Sequence, residues 1–287
     1  MKLDKATNIL IIGLGVIGGG YAEALTNAGY NVSCITKEQK DIDYAISHSI
    51  IKYGTTELEP ELIKKSQLVI FAVYPKVFIE WIKENQGLFS PGTLLTDVTG
   101  VKTSVVEKVQ SLLRDDLEYI PAHPMAGRES SGVEFADSSV FRGANYIVTP
   151  TEKNSKEAIE VCKDLGTILG FSKISELSPQ EHDKMIAFLS QLTHCIAVSL
   201  MTCNDSPNLE KYTGDSFRDL TRIAKINDKM WSELFLMNKA ELLSQMDDFI
   251  KEFNNFKSLI ENDKQDELRK KMKTATKRRM LFDKPKK

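Results

Sequence analysis

Between His123 and Gly132 the chain reads HPMAGRESSG, which sets an imidazole, a guanidinium, a carboxylate and two hydroxyls among residues that favour turns. A short apolar run, Tyr119 to Ala122, comes just before and reads as a strand. Ligands of an open α/β sheet gather at the carboxyl ends of its strands, on loops that a rigid scaffold holds in place. His123 is the one side chain of this loop that titrates near neutrality when unperturbed, so it can take and give a proton. A structural histidine bonded to a loop carbonyl fits the same pattern. Ser130, in the same loop, is a candidate substrate contact.

A second chemical motif lies near the N-terminus. Asn8 to Ile12 (NILII) reads as a strand, Gly13-Leu14-Gly15-Val16-Ile17-Gly18 follows at once, and a helical stretch from Val16 to Ala28 ends at Gly29. In this setting Gly13 allows the tight turn, Gly15 lets the backbone approach a pyrophosphate, and Gly18 lets helix and strand pack closely. The helix N-terminus then faces the phosphates. The implied cofactor is NAD or NADP. NAD-specific sites place an acidic residue at the end of the second strand, about 20 residues beyond the glycines. Here that strand, Asn31 to Thr36, ends in Thr36-Lys37, with Glu38 one step later. A hydroxyl and an ammonium suit a 2'-phosphate and lean the reading to NADP, while a solvated Lys37 and a Glu38 on the ribose remain open. Val73 and Tyr74, after the strand Leu68 to Val73, are expected over the cofactor, unless Tyr74-Pro75 is a plain turn.

These groups need a scaffold, and the remaining runs supply one. Thr93 to Val98, Tyr119 to Ala122, Tyr146 to Thr149 and Lys173 to Leu177 are strand-like, with helices expected near Val77 to Glu84, Thr103 to Leu113 and Ser155 to Leu169. Nearly continuous apolar strands such as LVIFAV are buried on both faces, which implies a doubly wound α/β domain with a mainly parallel sheet. It is expected to cover residues 1–176. The loop Asp97 to Lys102 leaves a strand end, so Thr99 is either a ligand contact near His123 or an N-cap.

Residues 177–287 read as an all-helical domain. Ser178-Pro179-Gln180-Glu181 carries a helix start with a capping box. The helix from His182 to Cys203 is apolar around most of its circumference, hence buried in a core or between subunits. Asp183, Ser190, Gln191 and His194 form a polar stripe along it, either a structural network or the lining of a substrate cavity. Arg218 and Arg222 lie four residues apart on one face beside Asp215 and Asp219. They suit an acidic substrate or a surface ladder of ion pairs equally.

Composition excludes several classes. The 287 residues carry a formal net charge of -2, which gives no basic field for nucleic acid. Cys34, Cys162, Cys195 and Cys203 are scattered without metal or disulfide spacing, so no metal is expected and a reducing, cytoplasmic setting is. The polar N-terminus and the lack of an apolar run of about 18 residues speak against a signal peptide or a membrane span.

The chain resembles the prephenate/arogenate dehydrogenase family of tyrosine biosynthesis in five ordered blocks: GLGVIGG (Gly13 to Gly19), DVTGVK (Asp97 to Lys102), HPMAGRESSG with FRGANYIVTP, HDKMIAFLSQLTH (His182 to His194) and FRDLTRIAKINDKMW (Phe217 to Trp231). The resemblance implies a Rossmann-type domain followed by a helical domain that forms a homodimer, with the active site between them. It further implies oxidative decarboxylation of prephenate or arogenate. His123 then matches the catalytic histidine, His194 a second active-site histidine, and Arg222 the arginine that binds a substrate carboxylate. The chain departs from the family pattern at Gly100, where serine is frequent, so that a hydroxyl contact is either missing or passes to Thr99. It departs again at Gln191 and Arg128, where histidine and serine are frequent. A 3-hydroxyacid dehydrogenase, which would need a catalytic lysine near Lys184, and a nicotinamide-sensing protein without turnover are the alternatives.

Overall fold

The computed structural model describes residues 2–127 and 130–283. In chain order the first elements are β1 (Asn8–Ile12), α1 (Val16–Asn27), β2 (Asn31–Ile35), α2 (Gln39–Ser47), β3 (Tyr53–Thr55), α3 (Pro60–Lys65), β4 (Leu68–Phe71) and α4 (Pro75–Asn85). They continue with β5 (Leu94–Asp97), α5 (Thr103–Leu112), β6 (Glu118–Tyr119), β7 (Ala122–Met125), β8 (Asn145–Val148), α6 (Lys156–Ile168) and β9 (Lys173–Glu176). Strands β1 to β6 form one parallel sheet in the order β3-β2-β1-β4-β5-β6. This is the strand order of a dinucleotide-binding sheet, whose ligand crevice opens where the order reverses, beside β1 and β4. Burial on both faces explains the unbroken apolar run of β4 (LVIF), and it extends to β5 (LLTD), where Thr96 and Asp97 are buried along with the leucines.

Two strands differ from the sequence expectation. The single run Tyr119 to Ala122 divides into β6 and β7, because the chain leaves the first sheet at Ile120 and joins a second one, β7-β8-β9. The carbonyl of Pro121 accepts from Thr149 N–H at 2.9 Å across this corner. In the second sheet β7 and β8 are antiparallel while β8 and β9 are parallel. Strand β3 (YGT) is a short edge strand without alternation, so no pattern announced it.

The helical stretch begins with α7 (Pro179–Ile186), capped by Ser178 and Glu181 in the expected capping box. A π-helical turn, Ala187–Leu192, joins it to α8 (Thr193–Thr202) without a break. Then come α9 (Asp215–Thr221), a 3-10 turn at Arg222–Ala224, α10 (Asp228–Met237), α11 (Lys239–Glu261) and α12 (Gln265–Met280). The continuous helix Pro179–Thr202 has a window of mean hydropathy 1.5, so by length and composition alone it could cross a membrane, a run not identified from the sequence. It is not greasy and buried all round. Phe188 and Leu189 are 55% and 46% exposed, whereas His182, Asp183 and Gln191 are buried and hydrogen-bonded. Two compact units result, residues 1–239 and 240–287. In the first, Leu234 of α10 belongs to the core cluster of Phe71, Phe78 and Val101. The second holds most of α11 together with α12, linked by Glu252 and Lys271 at 2.6 Å.

Candidate active site

The turn after β1 is built around glycine. Gly13 has φ 96°, and a Cβ there would stand 2.5 Å from the Ala72 carbonyl oxygen. A Cβ on Gly18 would lie 2.1 Å from the Gly13 carbonyl, so α1 approaches the turn this closely only because neither residue has a side chain. Gly15, by contrast, faces open space, and no side chain caps α1 there. The first N–H groups of α1 are therefore left to meet an anion. Leu14 is buried, Val16 and Ile17 start the helix, and the Val73 side chain closes against Gly13. Tyr74 is partly exposed, and its hydroxyl accepts from the Asn227 amide at 2.8 Å. At the end of β2, Thr36 N–H donates to the Thr55 carbonyl, and Lys37 is exposed. An uncapped helix terminus behind an open glycine fits the pyrophosphate of a dinucleotide.

The carboxyl ends of β1, β4 and β5 lie side by side, so the glycine turn, Val73-Tyr74 and the loop Val98 to Lys102 form one edge. His123 on β7 is half-buried and borders this last loop: a Cβ on Gly100 would be 3.8 Å from His123 Nε2 and 3.5 Å from Leu234. Its other nitrogen, Nδ1, lies 2.8 Å from Nε2 of His182. His182 Nδ1 in turn lies 2.8 Å from Asp183 Oδ1. Burial, with His182 and the Lys102 ammonium nearby, pushes the His123 imidazole well below its ordinary pKa. Burial also lowers His182, against the pull of Asp183. Asp183 is held below the usual carboxylate range: its burial opposes ionisation, but the bonds from His182 and from the N–H groups of Lys102 and Thr103 (both 2.8 Å) outweigh it.

Beneath the loop lies a fully buried ion pair, Lys102 Nζ to Asp97 Oδ2 at 2.6 Å. Asp97 also accepts from Thr99 N–H (2.9 Å), from the Thr99 hydroxyl and from the Tyr119 hydroxyl (2.8 Å). Thr99 is thus part of the loop's internal support, and its buried hydroxyl also meets Lys102 Nζ at 3.1 Å. Neither its expected role as a ligand contact nor that of a helix cap describes this arrangement.

The polar stripe divides in two. Gln191 is buried, donating to the Leu234 carbonyl (3.0 Å) and accepting from Asn238 (2.8 Å), so its amide is engaged by protein groups on both sides. His194 Nδ1 contacts the Ser190 carbonyl at 2.9 Å, and its ring stacks on Trp231 with centroids 3.8 Å apart. Arg222 lies on the 3-10 turn packed against α8, the helix that bears His194. Arg218 points elsewhere, to Asp215 at 3.7 Å and the Thr213 carbonyl at 3.0 Å, mostly exposed. The Ser130 hydroxyl is buried with no hydrogen-bond partner among the described residues, while Arg128 and Glu129 lie outside them. The residue that sequence reasoning missed is His182, noted only as the start of a helix. Lys184, which a 3-hydroxyacid dehydrogenase would need, is exposed.

A glycine turn on a parallel sheet and a depressed imidazole one loop away define a nicotinamide-dependent dehydrogenase. Residues 21–170 match the nucleotide-binding domain of prephenate dehydrogenase, and residues 178–274 match its dimerization domain. The chain belongs to the prephenate dehydrogenase family, and it is an NAD(P)-dependent enzyme. It is 31% identical to the prephenate dehydrogenase of Bacillus subtilis over 282 residues, covering 93% of this chain and 74% of the relative. It is 27% identical over 284 residues to the cyclohexadienyl dehydrogenase of Zymomonas mobilis, covering 96% of each. The crystal structure of prephenate dehydrogenase from A. aeolicus, in complex with hydroxyphenyl propionate and NAD+, superposes with a TM-score of 0.91 at 29% identity, covering 99% of this chain and 100% of that one.

Proposed function

We propose that the protein oxidatively decarboxylates prephenate to 4-hydroxyphenylpyruvate in tyrosine biosynthesis. The observation that carries the reading is His123, half-buried with Nε2 against the Gly100 loop and its pKa pushed down, so that it is neutral at working pH and free to accept a proton. His123 accepts the proton of the ring hydroxyl while the neighbouring carbon is oxidised and the ring carboxylate leaves as CO2. NAD(P), held by Gly13, Gly15 and the start of α1, supplies the hydride acceptor. Arg222 is the residue assigned to a substrate carboxylate, and its turn packs against α8, the helix on which His194 stacks on Trp231. Ser130 brings a buried hydroxyl without a hydrogen-bond partner among the described residues.

Thr36 and Lys37 at the end of β2 support NADP over NAD, since a hydroxyl and an ammonium suit a 2'-phosphate. The catalytic cleft is assigned between residues 1–176 and the first helices of the helical part, α7 to α10. The exposed Phe188, Leu189, Met201 and Leu220 on the helices after Ser178 favour a homodimer formed through that part. A cytoplasmic enzyme without membrane or nucleic-acid partners accords with the near-neutral charge and free cysteines. The deciding experiment follows nicotinamide reduction with prephenate and arogenate, each paired with NAD and NADP. Turnover of prephenate with preference for NADP is expected. Reduction with arogenate alone would replace the substrate, and reduction with neither would remove the reading.

A further inference from the structure

The hydrogen bonds around His123 determine where its proton sits. Asp183 is ionised and can only accept, and it already receives the N–H groups of Lys102 and Thr103. His182 Nδ1, 2.8 Å from that carboxylate, must therefore carry a hydrogen and donate it. His182 has no exposed surface, and burial favours its neutral form, so its Nε2 holds a lone pair. That lone pair faces His123 Nδ1 at 2.8 Å, which obliges Nδ1 to be the protonated nitrogen of a neutral His123. By elimination His123 Nε2 is unprotonated, and it is the atom turned toward Gly100.

We propose that His182 is a positioning residue for the reaction: it accepts from His123 Nδ1 while Asp183 holds its own Nδ1–H, and so presents His123 Nε2 as the proton acceptor. The proposal rests on the reading of His123 as the base. When the substrate O–H bond breaks and the Nε2–H bond forms, His123 becomes an imidazolium whose Nδ1–H already points at a lone pair. The ionised Asp183 lies one ring beyond and offsets the new charge, and the buried Lys102 and Asp97 neutralise each other nearby. Asp183 also fixes the start of α5, so one carboxylate sets both the base and the loop that faces it.

Two variants and one spectrum test this. In His182→Leu the acceptor is lost, and kcat should fall about 10- to 100-fold, by analogy with the partners that orient metal-bound imidazoles. KM and the affinity for reduced nicotinamide should stay within about twofold, since His182 has no exposed surface to offer a ligand. In His182→Gln the amide oxygen can accept from His123 while its nitrogen donates to Asp183, so kcat should recover to within about threefold of the wild type. Nitrogen NMR of the imidazoles, of which the chain has only 4, reads the tautomer without any substrate. His123 is expected to carry its proton on Nδ1 in the wild type and to lose that preference in His182→Leu. A wild-type His123 protonated on Nε2, an unchanged kcat in His182→Leu, or equal losses in the Leu and Gln variants would each overturn the proposal. If prephenate is not turned over, the substrate reading fails while the spectrum still decides the tautomer.

Discussion

Lys102 Nζ lies 2.6 Å from Asp97 Oδ2 with both side chains wholly buried, two residues beyond the glycine that borders His123. Removing one partner leaves the other charge in the interior. Lys102→Met is expected to destabilise the protein by about 3–5 kcal/mol, because Asp97 then lacks its cation. The double variant Lys102→Met/Asp97→Asn should recover part of the loss. Urea denaturation of the single and double variants measures both, and a single-variant cost under about 1 kcal/mol, as for a surface pair, would refute the assignment.

His123→Asn removes the base and keeps a polar side chain. Its kcat should drop by about 10^2 to 10^4, with KM little changed. Steady-state assays decide this, and an unaltered kcat would end the role given to His123.

The pH profile follows from the depressed imidazole. His123 must be neutral to accept a proton, and its folded pKa lies well below the ordinary value of 6.5, so kcat/KM should hold steady as pH falls to that value and decline only below it. Stability has a matching sign. His123 and His182 are both lowered in the fold, so below 6.5 the unfolded chain binds more protons than the folded one, and stability is lost as pH falls from there through the folded values. An acid limb of kcat/KM centred above the ordinary value would contradict the buried, neutral base.

Gly15 and Gly18 should behave differently when replaced by alanine. At Gly15 the methyl group meets open space in the protein, so melting temperature is preserved while dinucleotide affinity falls, because the methyl occupies the approach to the phosphates. At Gly18 it meets the Gly13 carbonyl, so both are lost. Thermal melts and fluorescence titration with reduced nicotinamide separate the cases, and a destabilised Gly15→Ala would overturn the account of that turn.

Arg222→Ala should weaken substrate binding by roughly 1.5–3 kcal/mol, the range for a hydrogen bond to a charged group. The effect is read as a rise in KM at constant affinity for the dinucleotide. A change confined to melting temperature would make Arg222 a structural residue of the turn after α9.

Much of this was legible in the chain itself. Strand β4 is an unbroken apolar run, and β1 is one after Asn8, because both faces of the sheet are covered, and Gly13 and Gly18 stand where backbone approaches backbone. His123 was visible as a titratable group beside a strand. Its partner was not, because His182 is 59 residues away and a contact at that separation leaves no periodic trace. The polar stripe was left open between a structural network and a cavity lining for a related reason. Spacing placed Gln191 with His194, but a long-range bond from Asn238 engages its amide. Thr99 showed a hydroxyl at a strand end, and only the burial of Asp97 beside it explains why that hydroxyl turns inward.

The π-helical turn at Ala187–Leu192 sets the angular phase between the two histidines of the long helix, His182 before it and His194 after it. Such a turn holds one residue more than the regular ladder accommodates, and one residue corresponds to about 100° of rotation around an α-helix. Shortening this turn by one residue would leave the His182 end seated on His123 and swing the His194 end away from Trp231. The two imidazoles therefore share a helix without sharing a register, and the extra residue between them works as an indexing notch that lets one rod serve two differently oriented contacts.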